Sequence, residues 1–130
     1  MAQSRVLLVE DNSDNFELVR FLLERAGYQV LEAHNGQMAL DLARRELPDL
    51  ILMDLSLPGV DGWTAARELK ADPKTASIPL LAITAHTLPG DRNRALESGF
   101  NGYISKPINI QGFAEDIAQA LQAKKTSKKG

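Results

Sequence analysis

Leu50-Ile51-Leu52-Met53-Asp54-Leu55-Ser56-Leu57-Pro58-Gly59 is the stretch on which the reading of this chain turns. Four consecutive apolar residues lead into one aspartate and then into a Pro-Gly turn signal. A continuous apolar run bounded by breakers is the pattern of a strand covered on both faces, as in a parallel sheet. In open α/β sheets, ligands gather at the carboxyl ends of the strands, and Asp54 is delivered to such an end. A lone aspartate there does no more than close a strand or begin a turn. Its neighbours in space decide whether it does more.

Moving outward, Arg5-Val6-Leu7-Leu8-Val9 is a second buried strand, ending in the acidic pair Glu10-Asp11. Asn12, Ser13 or Asp14 can cap the helix that follows, where Val19, Leu22, Leu23 and Ala26 keep helical spacing until Gly27 stops it. Tyr28 to Ala33 is a short strand with some alternation, suited to a sheet edge. Asn35-Gly36 opens a helix with Ala39, Leu42 and Ala43 on one face, ending before Pro48. Asp61-Gly62 opens a third, through about Lys70, which Asp72-Pro73 breaks. Ile78 to Thr84 is a fourth strand, and Pro89 to Ser98 reads as a more polar helix ended by Gly99. Gly102 to Ser105 is a fifth strand followed by Lys106-Pro107. In the last helix Ile110, Phe113, Ala114, Ile117 and Leu121 form one apolar stripe. Five strands alternating with five helices predict a doubly wound α/β domain with a parallel sheet and helices on both faces. The domain is expected over 1–123, with 124–130 a basic, aperiodic and disordered tail.

With 130 residues, 44% hydrophobic and 25% charged, the chain has the make-up of one globular domain. A net charge of −2 provides no broad field for nucleic acid or an anionic membrane. The absence of cysteine excludes disulfides and thiolate metal sites. Met1 to Arg5 runs straight into a strand pattern without a secretory apolar region, and no segment has transmembrane length, so a cytoplasmic protein is expected.

A parallel sheet brings Glu10, Asp11, Asp54, Thr84 and Lys106 to one edge. Three crowded carboxylates repel in a low-dielectric cleft and need a counter-charge. Oxygen donors without His or Cys suit a hard cation, and a few carboxylates completed by waters is the Mg²⁺ pattern. A carboxylate nucleophile, a divalent ion, a lysine and a hydroxyl together describe phosphoryl transfer to aspartate.

These residues resemble the receiver domain of two-component response regulators, similar to the single-domain type exemplified by chemotaxis regulators. The resemblance runs from Arg5 to about Leu121. It is carried by Val9-Glu10-Asp11-Asn12, the stretch from Leu52 to Gly62, Ile83-Thr84-Ala85 and Tyr103-Ile104-Ser105-Lys106-Pro107. It implies a flavodoxin-like (βα)5 fold with strand order 2-1-3-4-5. It further implies Asp54 as the acceptor of a phosphoryl group from a histidine kinase or phosphotransfer protein. Asp11 would bind Mg²⁺ directly, Glu10 more remotely, and the Ser56 carbonyl would complete the protein ligands. Lys106 would hold a phosphoryl oxygen, Thr84 would be the switch hydroxyl, and Tyr103 the aromatic that changes rotamer. The Lys106–Pro107 peptide would be cis, and output would be binding of a target protein by the face formed from the fourth helix, fifth strand and fifth helix. Glu10 departs from the commoner Asp at its position. With so little chain after the fifth helix, no effector domain is expected.

Plainer readings compete at each position. Glu10-Asp11 could serve only the macrodipole of the next helix. His34 reads as a loop residue with no role, Trp63 as packing or a surface anchor, and His86 as a solvent-facing residue or one that tunes water access. A haloacid-dehalogenase-type phosphatase would want a second acid where Ser56 stands. A flavodoxin-type nucleotide site would want a phosphate cradle where Glu10-Asp11 stands.

Overall fold

The structure is a computed structural model that describes residues 4–55, 62–84, 97–105 and 108–129, with side chains described through 122. Its sheet contains β1 (Arg5–Val9), β2 (Gln29–Ala33), β3 (Leu50–Asp54), β4 (Leu80–Thr84) and β5 (Gly102–Ser105), all parallel, in the order β2-β1-β3-β4-β5. This is the expected flavodoxin-like order. Between the strands run α1 (Ser13–Arg25), α2 (Gly36–Glu46) and α3 (Gly62–Ala71), and a C-terminal helix spans Ile110–Lys129. The helix expected over Pro89 to Ser98 lies almost wholly outside the described residues.

The central strands are buried on both faces because their apolar runs have no polar phase. Ile51 and Met53 of β3 join a cluster with Ala39, Leu40 and Ala43 of α2 and Ala65, Ala66 and Leu69 of α3. Leu50 and Leu52, pointing the other way, join Phe16, Val19 and Leu23 of α1 with Phe113 and Ile117 of the C-terminal helix. β2, at the edge, is only partly buried, as its alternation requires.

Helix starts follow side-chain capping. Of the three candidates at the first helix, Asn12 is the N-cap, its Oδ1 accepting the Asn15 N–H at 3.0 Å. Asn35 does the same for α2 with Met38 at 2.9 Å.

The C-terminal helix differs from expectation in two respects. Its buried stripe is Phe113, Ile117 and Ala120; Ile110 is 60% exposed and Ala114 is also exposed. Ile110 is the first residue of the helix, and Ile108, just before it, packs against the cluster instead. The helix also runs to Lys129, past the boundary expected at 123. Between Ala118 and Lys129 there is no proline or glycine to stop it, and Ala, Leu, Gln and Lys all favour helix.

α3 begins in close contact with the end of β3. A Cβ at Gly62 would lie 2.9 Å from the Asp54 carbonyl oxygen and 3.0 Å from Leu55 Cα, both backbone atoms that cannot swing aside. Gly62→Ala is therefore expected to lower stability by about 1–3 kcal/mol in urea unfolding, despite alanine's better helix propensity. An unchanged midpoint would contradict the close approach.

Candidate metal and phosphoryl site

The register of the sheet assembles the site. Val9 pairs with Met53, so Glu10 follows β1 beside Asp54, the last residue of β3. Asp54 pairs with Ile83, which places Thr84 one step further along β4. The ladders continue past the strand ends through Glu10 N–H to the Ala33 carbonyl at 3.0 Å and Leu55 N–H to the Ile83 carbonyl at 3.2 Å. The site residues therefore sit on backbone that is still held by the sheet.

Glu10, Asp11 and Asp54 each offer a carboxylate oxygen, and the three oxygens lie within 4.8 Å of one another. Glu10 is 2% exposed, Asp54 3% and Thr84 4%, whereas Asp11 is open to solvent. One wall is apolar: a cavity of about 180 Å³ beside Glu10 is lined by Leu8, Asn15, Leu18, Val19, Ile83 and Ile108. Asn12 is the N-cap of α1 and both acids precede it, so neither acid caps the helix.

The donor set fits a small hard cation. Octahedral Mg²⁺ takes oxygens at about 2.1 Å, so opposing ligands stand about 4 Å apart, close to the spread of these three carboxylates. Asp11, on the solvent side, leaves room for the waters that Mg²⁺ retains.

The sheet also sorts the remaining residues. Strand alternation puts Glu10 and Asp54 in phase with Leu8 and Leu52, on the side of α1 and the C-terminal helix. Thr84 is in phase with Ala82, and Tyr103 packs on that same side with α2 and α3. Tyr103 pairs with Ala82 across β4 and β5, so Thr84 is its diagonal neighbour. Trp63 packs its ring edge-on against Phe100 at 6.0 Å, in keeping with a packing role. Ser56, His86, Lys106 and the Lys106–Pro107 peptide lie outside the described residues.

Two neighbours of the site were not evident in the sequence. Gly62 abuts the Asp54 carbonyl, as described above. His34, expected to be idle, places Nδ1 3.2 Å from the Glu10 carbonyl oxygen. The signal for His34 lay in strand order: once β2 flanks β1, the residue after Ala33 falls beside Glu10.

Comparison with known proteins agrees with this geometry. The family model described as response regulator receiver domain matches residues 6–119. The polar-differentiation response regulator DivK of Brucella anthropi is 46% identical over 116 residues, covering 89% of this chain and 94% of DivK. Among solved structures, the receiver domain of the Pseudomonas aeruginosa sensor histidine kinase PA1611, which has a magnesium ion coordinated in its active-site cleft, is 36% identical. It superposes with a TM-score of 0.86 over 93% of this chain and 99% of its own. The chemotaxis protein CheY4 of Vibrio cholerae is 26% identical with a TM-score of 0.86, over 92% and 99%.

Crowded like charges make a specific expectation for stability. In chelator, Asp54→Asn should be more stable than the wild type by about 1–3 kcal/mol, because one of three mutually repelling carboxylates is gone. Adding Mg²⁺ should stabilise the wild type, by about 2.7 kcal/mol at a hundredfold excess over its dissociation constant, and the variant much less. Thermal melts with and without the ion measure both effects; a variant that melts below the wild type in chelator would contradict the repulsion.

Proposed function

The chain belongs to the response regulator receiver domain family, and from that premise we propose that it is a phosphorylation-driven signalling switch. Asp54 is the phosphoryl acceptor. The observation that carries this reading is a buried Asp54 carboxylate at the end of β3, within 4.8 Å of the Glu10 and Asp11 carboxylates. The donor is a phosphohistidine on a histidine kinase or phosphotransfer protein, met in the cytoplasm. One Asp54 carboxylate oxygen attacks phosphorus and the P–N bond breaks. The bond's electron pair leaves with the imidazole and the P–O bond of an acyl phosphate forms.

Asp11 and Asp54 would hold Mg²⁺, with the Ser56 carbonyl completing the protein ligands, and Glu10 would contribute its charge from further back. Bound there, Mg²⁺ neutralises the incoming phosphoryl oxygens so that an anionic nucleophile can approach them. Lys106, which follows β5, would supply a point positive charge for the same group. The Thr84 hydroxyl donates to a phosphoryl oxygen after transfer. The protein turns over only its own phosphoryl group, and its other partners are target proteins rather than nucleic acid or membrane.

The switch follows from the shared face of Thr84 and Tyr103. When Thr84 moves toward the phosphoryl group, Tyr103 fills the space it leaves, and the surface around β5 and the C-terminal helix changes its preferred partner. The phosphoryl group favours this state only by contacts it makes better there, so the change is a population shift. Beryllium fluoride with Mg²⁺ should therefore move the amide resonances of Gly102 to Ser105 and of the C-terminal helix; resonances that stay fixed would contradict the coupling.

Acetyl phosphate with Mg²⁺ tests the acceptor itself. Intact mass should show one phosphoryl group on the wild type and none on Asp54→Asn. An equal adduct on both proteins would move the acceptor elsewhere.

A further inference from the structure

We infer that His34 is a positioning residue for the acid pair, holding the peptide that joins Glu10 to Asp11. The inference rests on the magnesium reading of that pair. β1 ends at Val9 and Asn12 is already the cap of α1, so Glu10-Asp11 is a two-residue link between strand and helix. Its first peptide N–H is tied to the edge strand, Glu10 N–H donating to the Ala33 carbonyl at 3.0 Å. The carbonyl of Glu10 belongs to the next peptide unit. It faces His34 Nδ1 at 3.2 Å, and because a carbonyl can only accept, the ring donates.

That single bond reaches both acids. A peptide unit is planar, so fixing the Glu10 oxygen fixes the Asp11 Cα in the same plane. The direction in which the Asp11 side chain leaves the backbone is then set relative to Glu10. Without it, the Glu10–Asp11 peptide loses one restraint on its plane, and the exposed Asp11 loses its orientation more readily than the buried Glu10.

The ring itself is held on two further sides. Phe16 of α1 packs against it with centroids 5.5 Å apart and planes tilted by 47°. Its Nε2 meets the Glu32 carboxylate on β2. His34 thus ties the ends of β1 and β2 to the first turn of α1 while remaining 45% exposed. A ring that donates from Nδ1 and packs on Phe16 acts as a brace, and its effect on the ligands passes through the backbone.

Two substitutions separate the hydrogen bond from the packing. His34→Asn keeps an N–H at the position of Nδ1 and discards the ring; His34→Phe keeps the ring against Phe16 and discards the donor. Mg²⁺ dissociation constants by calorimetry should rise about two- to tenfold in His34→Phe, the range expected for one partly exposed hydrogen bond. His34→Asn should stay within about twofold of the wild type. A purely structural role for the ring would reverse that order, with Asn the weaker binder, and would overturn the assignment. Equal constants in all three proteins would overturn it as well, leaving the magnesium site standing. A wild type that shows no Mg²⁺ saturation would overturn the site and the role of His34 together.

Discussion

Charge crowding at one edge of the sheet is the constraint on which this molecule depends. Glu10 and Asp54 are both buried, with carboxylate oxygens within 4.8 Å. Two unit charges at that separation repel by about 3 kcal/mol at an effective dielectric of about 20. No local preference of either residue offsets such a term, so the backbone must impose it. The strands that carry the acids, β1 and β3, are the two whose apolar residues are most thoroughly enclosed. Leu7, Leu8, Ile51, Leu52 and Met53 are fully buried immediately upstream of the site. A closely packed core holds the carboxylates together, and their mutual repulsion is what a bound cation would relieve.

The same sheet divides the candidate site residues between its two faces. Glu10 and Asp54 lie in phase with the α1 side, and Thr84 and Tyr103 with the α2 and α3 side, so the site straddles the sheet edge. Among the described residues, the ends of β3 and β4 lie between the carboxylates and the opposite layer. Gly62 abuts the Asp54 carbonyl there, and the next residue, Trp63 of α3, packs against Phe100 just before β5. Gly62 allows α3 to begin against Asp54, and Trp63 joins that helix start to Phe100, two residues before β5. Family membership and the geometry of the acids therefore meet in one arrangement, a crowded carboxylate edge with Thr84 and Tyr103 on the opposite face of the sheet.

Much of this was legible in the residues because the decisive signals are local. The unbroken apolar run from Leu50 to Met53 means burial on both faces, and Gly27, Pro48 and the two asparagine caps punctuate the helices. With β-strands separated by helices, a parallel sheet follows, and every strand-end acid then shares an edge. What escaped the sequence was set by contacts between distant segments. Ile110 keeps the helical period of Phe113 and Ile117, yet periodicity cannot say that the first residue of this helix stands clear of the sheet. The helix continues through the lysines to Lys129 because propensity alone sustains it where no stop residue stands. His34 has no periodic partner at all; its contacts arise only once β2 is laid beside β1.

The most direct measurement is nuclear magnetic resonance with Mn²⁺ in place of Mg²⁺, which broadens nearby amides by paramagnetic relaxation. The account predicts that the amides of Glu10, Asp11, Asp54 and Thr84 vanish first, while those of Arg5, Leu50 and Leu80 at the opposite ends of the same strands persist. Broadening that begins at those opposite ends, or that spreads evenly over the surface, would contradict it.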